Sequence, residues 1–442
     1  MRFAGRGLVA AVGCALLVAG CGGGGPAGPA PVAGPARAAV AVGTGGAVSS
    51  VNPYASRAGI EVLRAGGNAV DAAVATAAAL GVAEPYSAGI GGGGYFLYYD
   101  ARSRTVHTID GRETAPAAMR PDSFLDPATG KPIPFRQAVN SGLSVGVPGT
   151  PATWDRALHN WGSLSVESAL APAIQLAQNG FVVSQQFRDE TVMNQKRFRD
   201  IAPTAALYLP GGQPPAVGSV LRNPDLAATY RTLAKDGISA FYRGDLAAEV
   251  ASAAQHPPLT PGAARVFRPG LLQASDLAAY QVREPPPTHS SYRGVELYGM
   301  APSSSGGSTV GEALNILSNF QLSAGNADDR VQALQHFLEA SRIAYADRNR
   351  WVGDSAFGAV PLSELLSAEF GKDRACLISP VHTLNSPVAP GDPNHPVPCA
   401  PGANQPAPAG APREGTSTTH LVTADRWGNV VSYTLTIEQT GG

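Results

Sequence analysis

The sequence predicts a mixed fold, α/β or α+β, with hairpin strands at both ends of the folded region and helices between them. Two hairpins and a long helical middle predict it. Near the start, Tyr95-Phe96-Leu97-Tyr98-Tyr99 and residues 105–109 bracket a turn at residues 101–104. Near the end, Leu421-Val422-Thr423-Ala424-Asp425 alternates as a strand, turns at Arg426-Trp427-Gly428-Asn429, and resumes over residues 430–436. Residues 150–280 read as helices punctuated by Pro and Gly. A chain of 442 residues holds a large core, in one big domain or two.

The elements follow in order. Residues 1–6 are a short basic region and residues 8–19 a short apolar run, as in an export signal. Val18-Ala19-Gly20-Cys21 resembles a bacterial lipoprotein cleavage box, with Cys21 as the lipidated residue. An ordinary signal peptide with an incidental cysteine is the alternative. Residues 22–38 are a Gly/Pro/Ala linker that suits a tether. Residues 55–80 read as helix, broken at Gly66-Gly67-Asn68, and the alanine-rich second half implies tight packing. Gly89-Ile90-Gly91-Gly92-Gly93-Gly94 follows. A phosphate-binding loop needs strand, glycines, helix, and here the order is reversed. Residues 303–308, rich in serine, suit an N-cap loop ahead of a helix over 310–318. A long helix is expected at 328–350, with Val331, Leu334, Phe337, Leu338 and Ser341 on one stripe. Prolines are dense enough over 380–412 that a packed fold is not expected there.

Net charge is −1, with 15% charged residues. No basic stripe suggests nucleic acid. Apart from the signal there is no membrane-spanning run, so contact with a membrane is expected only through a lipid anchor. Of four cysteines, Cys14 leaves with the signal and Cys21 is the acylation candidate. Cys376 and Cys399 remain, and in an exported protein a disulfide is the expected state, with two free thiols as the alternative. In the loop-entropy description such a bridge is worth about 3 kcal/mol. His382 and His395 lie inside that loop without a zinc-like spacing.

The chemistry is expected at Thr418. It begins a strand after a proline-rich stretch, so a cut before it creates an N-terminal threonine carrying both nucleophile and base. Its free α-amino group, with a pKa of roughly 7.7–8.0, is partly neutral at physiological pH. With the turn centred on Trp427, Thr436 falls opposite Thr418, where Cβ atoms lie about 4.5–5.5 Å apart. Glu438 lies two residues on, within reach of a substrate amine. Paired threonines are also common in strands for packing reasons alone.

Glu414-Gly415-Thr416-Ser417-Thr418-Thr419-His420, with Asp425, Gly428-Asn429 and Thr436, resembles the processing site of the γ-glutamyltransferase family. The resemblance extends over roughly residues 45–442. It includes Ala65-Gly66-Gly67-Asn68-Ala69-Val70-Asp71-Ala72-Ala73, Asp110-Gly111-Arg112-Glu113-Thr114-Ala115-Pro116, Val147-Pro148-Gly149-Thr150, Pro302-Ser303-Ser304-Ser305-Gly306-Gly307 and Ala344-Tyr345-Ala346-Asp347-Arg348. It implies an N-terminal-nucleophile hydrolase fold, a four-layer αββα sandwich, here incomplete. It implies self-cleavage between Ser417 and Thr418 into a large subunit, residues 39–417, and a small one beginning at Thr418. It also implies a γ-glutamyl ester on Thr418, passed to water or an amino acid, with glutathione-like donors and no metal or organic cofactor. Arg112 matches the arginine that grips the donor's α-carboxylate, in keeping with the fit of a guanidinium fork to a carboxylate. Thr436 matches the hydroxyl that supports the nucleophile, and His420 is expected to be structural.

Two departures stand out. Glu438 replaces the family's usual asparagine, and Thr436-Ile437-Glu438-Gln439 also resembles the capsule depolymerases that act on poly-γ-glutamate. The small subunit of the family extends well past position 442, so the 442-residue product is expected to be inactive alone. A non-catalytic envelope lipoprotein of the same fold is the reading from a different class.

Overall fold

The computed structural model describes residues 41–263, 265–323, 325–395 and 417–439. The chain divides into two units, residues 1–42 and 43–442, and every described helix and strand lies in the second. Cys21 and the linker lie outside the described residues.

A five-stranded antiparallel sheet organises this unit. Its strands are β1 (Gly46–Ser49), β2 (Gly93–Asp100), β3 (Thr105–Gly111), β4 (Ser417–Asp425) and β5 (Val430–Glu438), in the order β1-β4-β5-β2-β3. The two sequence-predicted hairpins therefore meet in one sheet, β5 pairing with β2. The β4–β5 register places Thr418 opposite Thr436, as the turn position predicted. Two further ribbons, Thr288–Tyr292 with Val295–Gly299 and Phe181–Val182 with Val220–Leu221, stand apart from it. Among the described residues no second large sheet is formed.

Strand alternation gives the sheet two unlike faces. Phe96, Leu421, Val431, Tyr433 and Leu435 are buried in the main core. Thr418 and His420 face the other way and are exposed.

The buried face packs on α1 (Pro53–Arg64) and α2 (Ala69–Ala83). All fifteen residues of α2 are buried, which its small side chains permit. Close approach is enforced at Gly59, where an added Cβ would meet Thr76 Oγ1 and the Ala72 carbonyl. Asn68 caps α2 and Asp71 completes a capping box. Asp71 also accepts from the Ser163 and Leu164 amides, tying α2 to the link between α3 (Thr150–Trp161) and α4 (Val166–Asn179).

A second core joins α5 (Gly306–Leu317), α6 (Ala327–Trp351) and α7 (Ala368–Ala375) around Ile316, Leu317, Ala340, Ile343 and Ala375. Two expectations need correction in this region, the serine cap and the loose proline-rich stretch, and α6 presents an unexpected face. The apolar stripe of α6 does not face this core: Val331, Leu334, Phe337 and Leu338 are all more than half exposed. The buried face carries Glu339, Ala340, Ile343, Ala344 and Asp347 instead. Its charges are neutralised locally: Glu339 pairs with Arg342 at 3.0 Å, and Asp347 takes Arg374 in two bonds of 2.8 and 3.1 Å.

Ser305 sits at the N-terminal boundary of α5 but makes no side-chain cap. The beginning of the proline-rich stretch is anchored: α6 holds it through Arg342 to the Leu384 carbonyl at 3.0 Å and Trp351 Nε1 to the Gly391 carbonyl at 2.7 Å. Backbone polar groups there are satisfied by side chains where prolines preclude regular pairing. Cys376 is disulfide-bonded, and its expected partner Cys399 lies outside the described residues.

Candidate active site

Thr418 and its neighbours are set by the β4–β5 hairpin and fixed to the body of the chain at both ends. At the turn, Asp425 accepts from the Trp427 and Asn429 amides at 2.9 and 3.1 Å. Its second oxygen takes the Ala69 amide at 3.0 Å, so the turn is bolted to the start of α2. At the other end, Ser417 is buried and its hydroxyl donates to the Tyr86 carbonyl.

Around the Ser417–Thr418 peptide the hydroxyls form a compact relay. Thr418 Oγ1 lies 2.8 Å from the Ser417 carbonyl oxygen and 3.1 Å from Thr436 Oγ1. The Thr436 hydroxyl donates to that same Ser417 carbonyl and accepts the Glu438 amide at 2.8 Å. A carbonyl so polarised is more open to attack, and the Thr418 hydroxyl stands beside it.

Gly93 is the next position across the sheet, opposite Thr436, and Gly92 precedes it. An added Cβ on Gly92 would fall 2.0 Å from the Thr436 carbonyl oxygen, so glycine is needed for the loop to pass. The run of glycines thus serves close backbone packing at the hairpin.

Arg112 follows β3 and reaches Glu438, Nη2 to Oε2 at 2.8 Å, with Glu113 3.3 Å from its Nε. The structure brings Thr418, Thr436, Arg112 and Glu438 to one region, but Glu438 sits differently from its expected place. A register irregularity between Ser417 and Thr418 makes Glu438 the partner of Ser417, with φ at +63°. Its carboxylate is turned onto Arg112. Burial disfavours the Arg112 charge, and Glu113 and Glu438 outweigh it, holding the guanidinium above its usual pKa. Burial raises the Glu113 carboxyl above its usual range despite Arg112 alongside. His420 does not approach Thr418 Oγ1: its nitrogens face Thr434 Oγ1 at 2.8 Å and Ser432 Oγ at 3.4 Å. Burial lowers its pKa, favouring the neutral ring.

Sequence reasoning missed Glu113, although it adjoins Arg112 in the same motif, and missed the wall beyond it. That wall is a chain of polar contacts: Tyr95 to Ser303 at 2.8 Å, Ser303 to Asp110 at 3.4 Å, then Arg283 between Asp110 and Asp354 at 3.1 Å each. With Arg112 it lines a cleft of about 520 Å3. Ser303 is thus a site-wall residue rather than a helix cap. Among the described residues no group of His, Cys, Asp or Glu is placed to hold a metal ion. No described helix is long and apolar enough to cross a membrane.

The gamma-glutamyltranspeptidase family profile matches residues 55–442, which is most of the chain. The chain belongs to that family. It is 38% identical over 405 residues to the glutathione hydrolase proenzyme of Bacillus subtilis (strain 168), a match covering 91% of this chain and 66% of that protein. The chain therefore spans just under two thirds of that relative's length. The crystal structure of Helicobacter pylori gamma-glutamyltranspeptidase superposes with a TM-score of 0.69 at 31% identity, covering 78% of this chain and 94% of that one. Cephalosporin acylase from Bacillus halodurans superposes at 0.72 with 27% identity, covering 92% and 69%. The family member described here thus has the N-terminal-nucleophile hydrolase fold that the sequence led one to expect.

Proposed function

We propose that this gamma-glutamyltranspeptidase-family chain is a precursor that cuts itself between Ser417 and Thr418, and that the freed Thr418 is then the nucleophile toward γ-glutamyl compounds such as glutathione. The observation that carries the reading is the shared Thr436 hydroxyl, which donates to the Ser417 carbonyl while Thr418 Oγ1 lies 3.1 Å from it. In the cut, Thr418 Oγ1 adds to the Ser417 carbonyl carbon and the peptide C–N bond breaks. The hydroxyl proton ends on the departing Thr418 nitrogen. Water then hydrolyses the Ser417 ester and leaves Thr418 with a free amine and a free hydroxyl.

In turnover, the amine accepts the hydroxyl proton as Oγ1 adds to the donor's γ-carbonyl. The leaving amine takes that proton, a γ-glutamyl ester remains on Thr418, and water or an acceptor amino acid removes the acyl group. Arg112 is the cation available for the donor's α-carboxylate, and Glu438 a carboxylate for its amine. An exported protein, lipidated at Cys21 and bridged between Cys376 and Cys399, completes the proposal.

The deciding experiment is a denaturing gel and N-terminal sequencing of the complete gene product. Two bands, the smaller starting at Thr418, are expected, and Thr418→Ala leaves one. A single uncut band from the unsubstituted protein sinks the reading and favours a non-catalytic envelope protein.

The cleft of about 520 Å3 beside Arg112 supports a second reading, poly-γ-glutamate as donor, since charges of both signs line it. Product analysis on glutathione against the polymer separates the two.

A further inference from the structure

In the uncut chain the guanidinium assigned to the donor is already occupied by Glu438 at 2.8 Å. Glu438 is also the strand partner of Ser417, the residue before the proposed cut. Its backbone is held in the left-handed region, φ +63°, which a residue with a side chain adopts only under local constraint. That constraint is visible: the Glu438 amide donates to Thr436 Oγ1, and Thr436 is joined to the Ser417 carbonyl.

We propose that Glu438 is a plug coupled to processing: before the cut its carboxylate occupies Arg112, and the cut releases it to leave Arg112 open to a donor's α-carboxylate. The inference rests on cleavage between Ser417 and Thr418. Cleavage changes the charges around Glu438 in two ways. Ser417 acquires a carboxylate, directly beside the backbone of its former partner, and repels the Glu438 side chain. Thr418 acquires an amine that is cationic when protonated, and draws the same side chain toward the nucleophile. At the same time the peptide continuity that sets the Ser417–Glu438 pairing is lost, and Glu438 is free to leave its left-handed conformation. The carboxylate that blocks the donor before the cut is then placed to meet the donor's amine after it.

The Arg112 and Glu438 side chains are 35% and 51% exposed, so the plug is a modest one. A pair this exposed weakens a competing ligand by roughly two- to fivefold.

Two uncut proteins test the proposal, one carrying Thr418→Ala and one carrying Thr418→Ala with Glu438→Gln, each titrated calorimetrically with L-glutamate. The double variant is expected to bind two- to fivefold more tightly, and addition of Arg112→Ala to remove the gain. In the self-cleaving protein the sign reverses: Glu438→Gln raises KM for γ-glutamyl-p-nitroanilide. Glu438→Asn repeats the series should the glutamine variant misfold. Equal glutamate affinity with and without Glu438→Gln, absence of binding in both, or a gain that survives Arg112→Ala overturns the plug. The gel of the unsubstituted protein is scored separately: a chain that cuts normally while the glutamate affinities stay equal loses the plug alone, and a chain that never cuts loses the processing reading.

Discussion

Thr436 Oγ1 stands 3.1 Å from Thr418 Oγ1 across a single pair of strands, and its own proton is committed to the carbonyl of Ser417. In the proposed self-cleavage this arrangement would give Thr436 the part of an oxyanion donor. Thr436→Val keeps the shape and removes the donor. Loss of one such donor typically costs ~10²–10³ in rate, so a gel time course should show cleavage slowed by about that factor. Thr436→Ser, which restores the hydroxyl, should recover most of it.

Gly92→Ala should stop cleavage without touching a hydroxyl. The new methyl group needs space now filled by the Thr436 carbonyl oxygen, 2.0 Å away, so β5 must shift and carry Thr436 off its partners. A single band on the gel, with a far-UV circular dichroism spectrum like that of the parent, is the expected outcome.

Asp425→Ala removes the acceptor for three backbone amides, those of Ala69, Trp427 and Asn429. Ala69 is fully buried, so its amide would be left without water or partner. Each such group costs roughly 1–3 kcal/mol, and the urea midpoint should fall accordingly. Asp425→Asn, which keeps one acceptor oxygen, should lose less.

Asp347→Asn should unsettle the α6–α7 region. Asp347 is fully buried and Arg374 nearly so, and the aspartate also accepts the Gly391 amide at 2.5 Å. Breaking one side of a buried pair strands the other charge, at roughly 3–5 kcal/mol. Burial and Asp347 alongside push the Glu312 carboxyl well above its ordinary value, which favours its neutral form beside this pair. Glu312→Gln, of the same shape, should therefore be tolerated far better than Asp347→Asn when thermal midpoints are compared at pH 7.

Glu84 supplies a pH test. Burial, then Glu190, raises its pKa from 4.5 to about 7 in the folded chain. The folded state thus holds this proton more tightly than the unfolded one. Its stabilising share is fully present below pH 4.5 and is lost as pH rises through 7. Glu84→Gln should leave the thermal midpoint little changed near pH 4.5 and raise it at pH 8, a gain on the order of 1–3 kcal/mol in unfolding free energy.

The legible parts of the fold are those with short-range periodicity. Alternation and one turn sufficed to bring Thr418 opposite Thr436, because side-chain period and turn position together set a hairpin register. The slip that pairs Ser417 with Glu438 coincides with a positive φ at Glu438, and no residue pattern announces it. The stripe on α6 was legible as a stripe, but periodicity does not say which neighbour covers it. Val331 and Phe337 face outward because Asp347 and Glu339, held by arginines, occupy the inner face. Tyr95 and Ser303 were missed because a neighbouring strand and a loop distant in sequence bring them to this site, and Glu113 because nothing in the sequence shows its burial against the Arg112 guanidinium.

Ser417 is held by the carbonyl of Tyr86, 331 positions earlier in the chain, and the turn by the amide of Ala69, 356 positions before Asp425. If the proposed scission draws on both grips, it cannot precede the meeting of these distant segments. Its timing would then be set by the closure of that long loop, and the appearance of the second band would mark that moment.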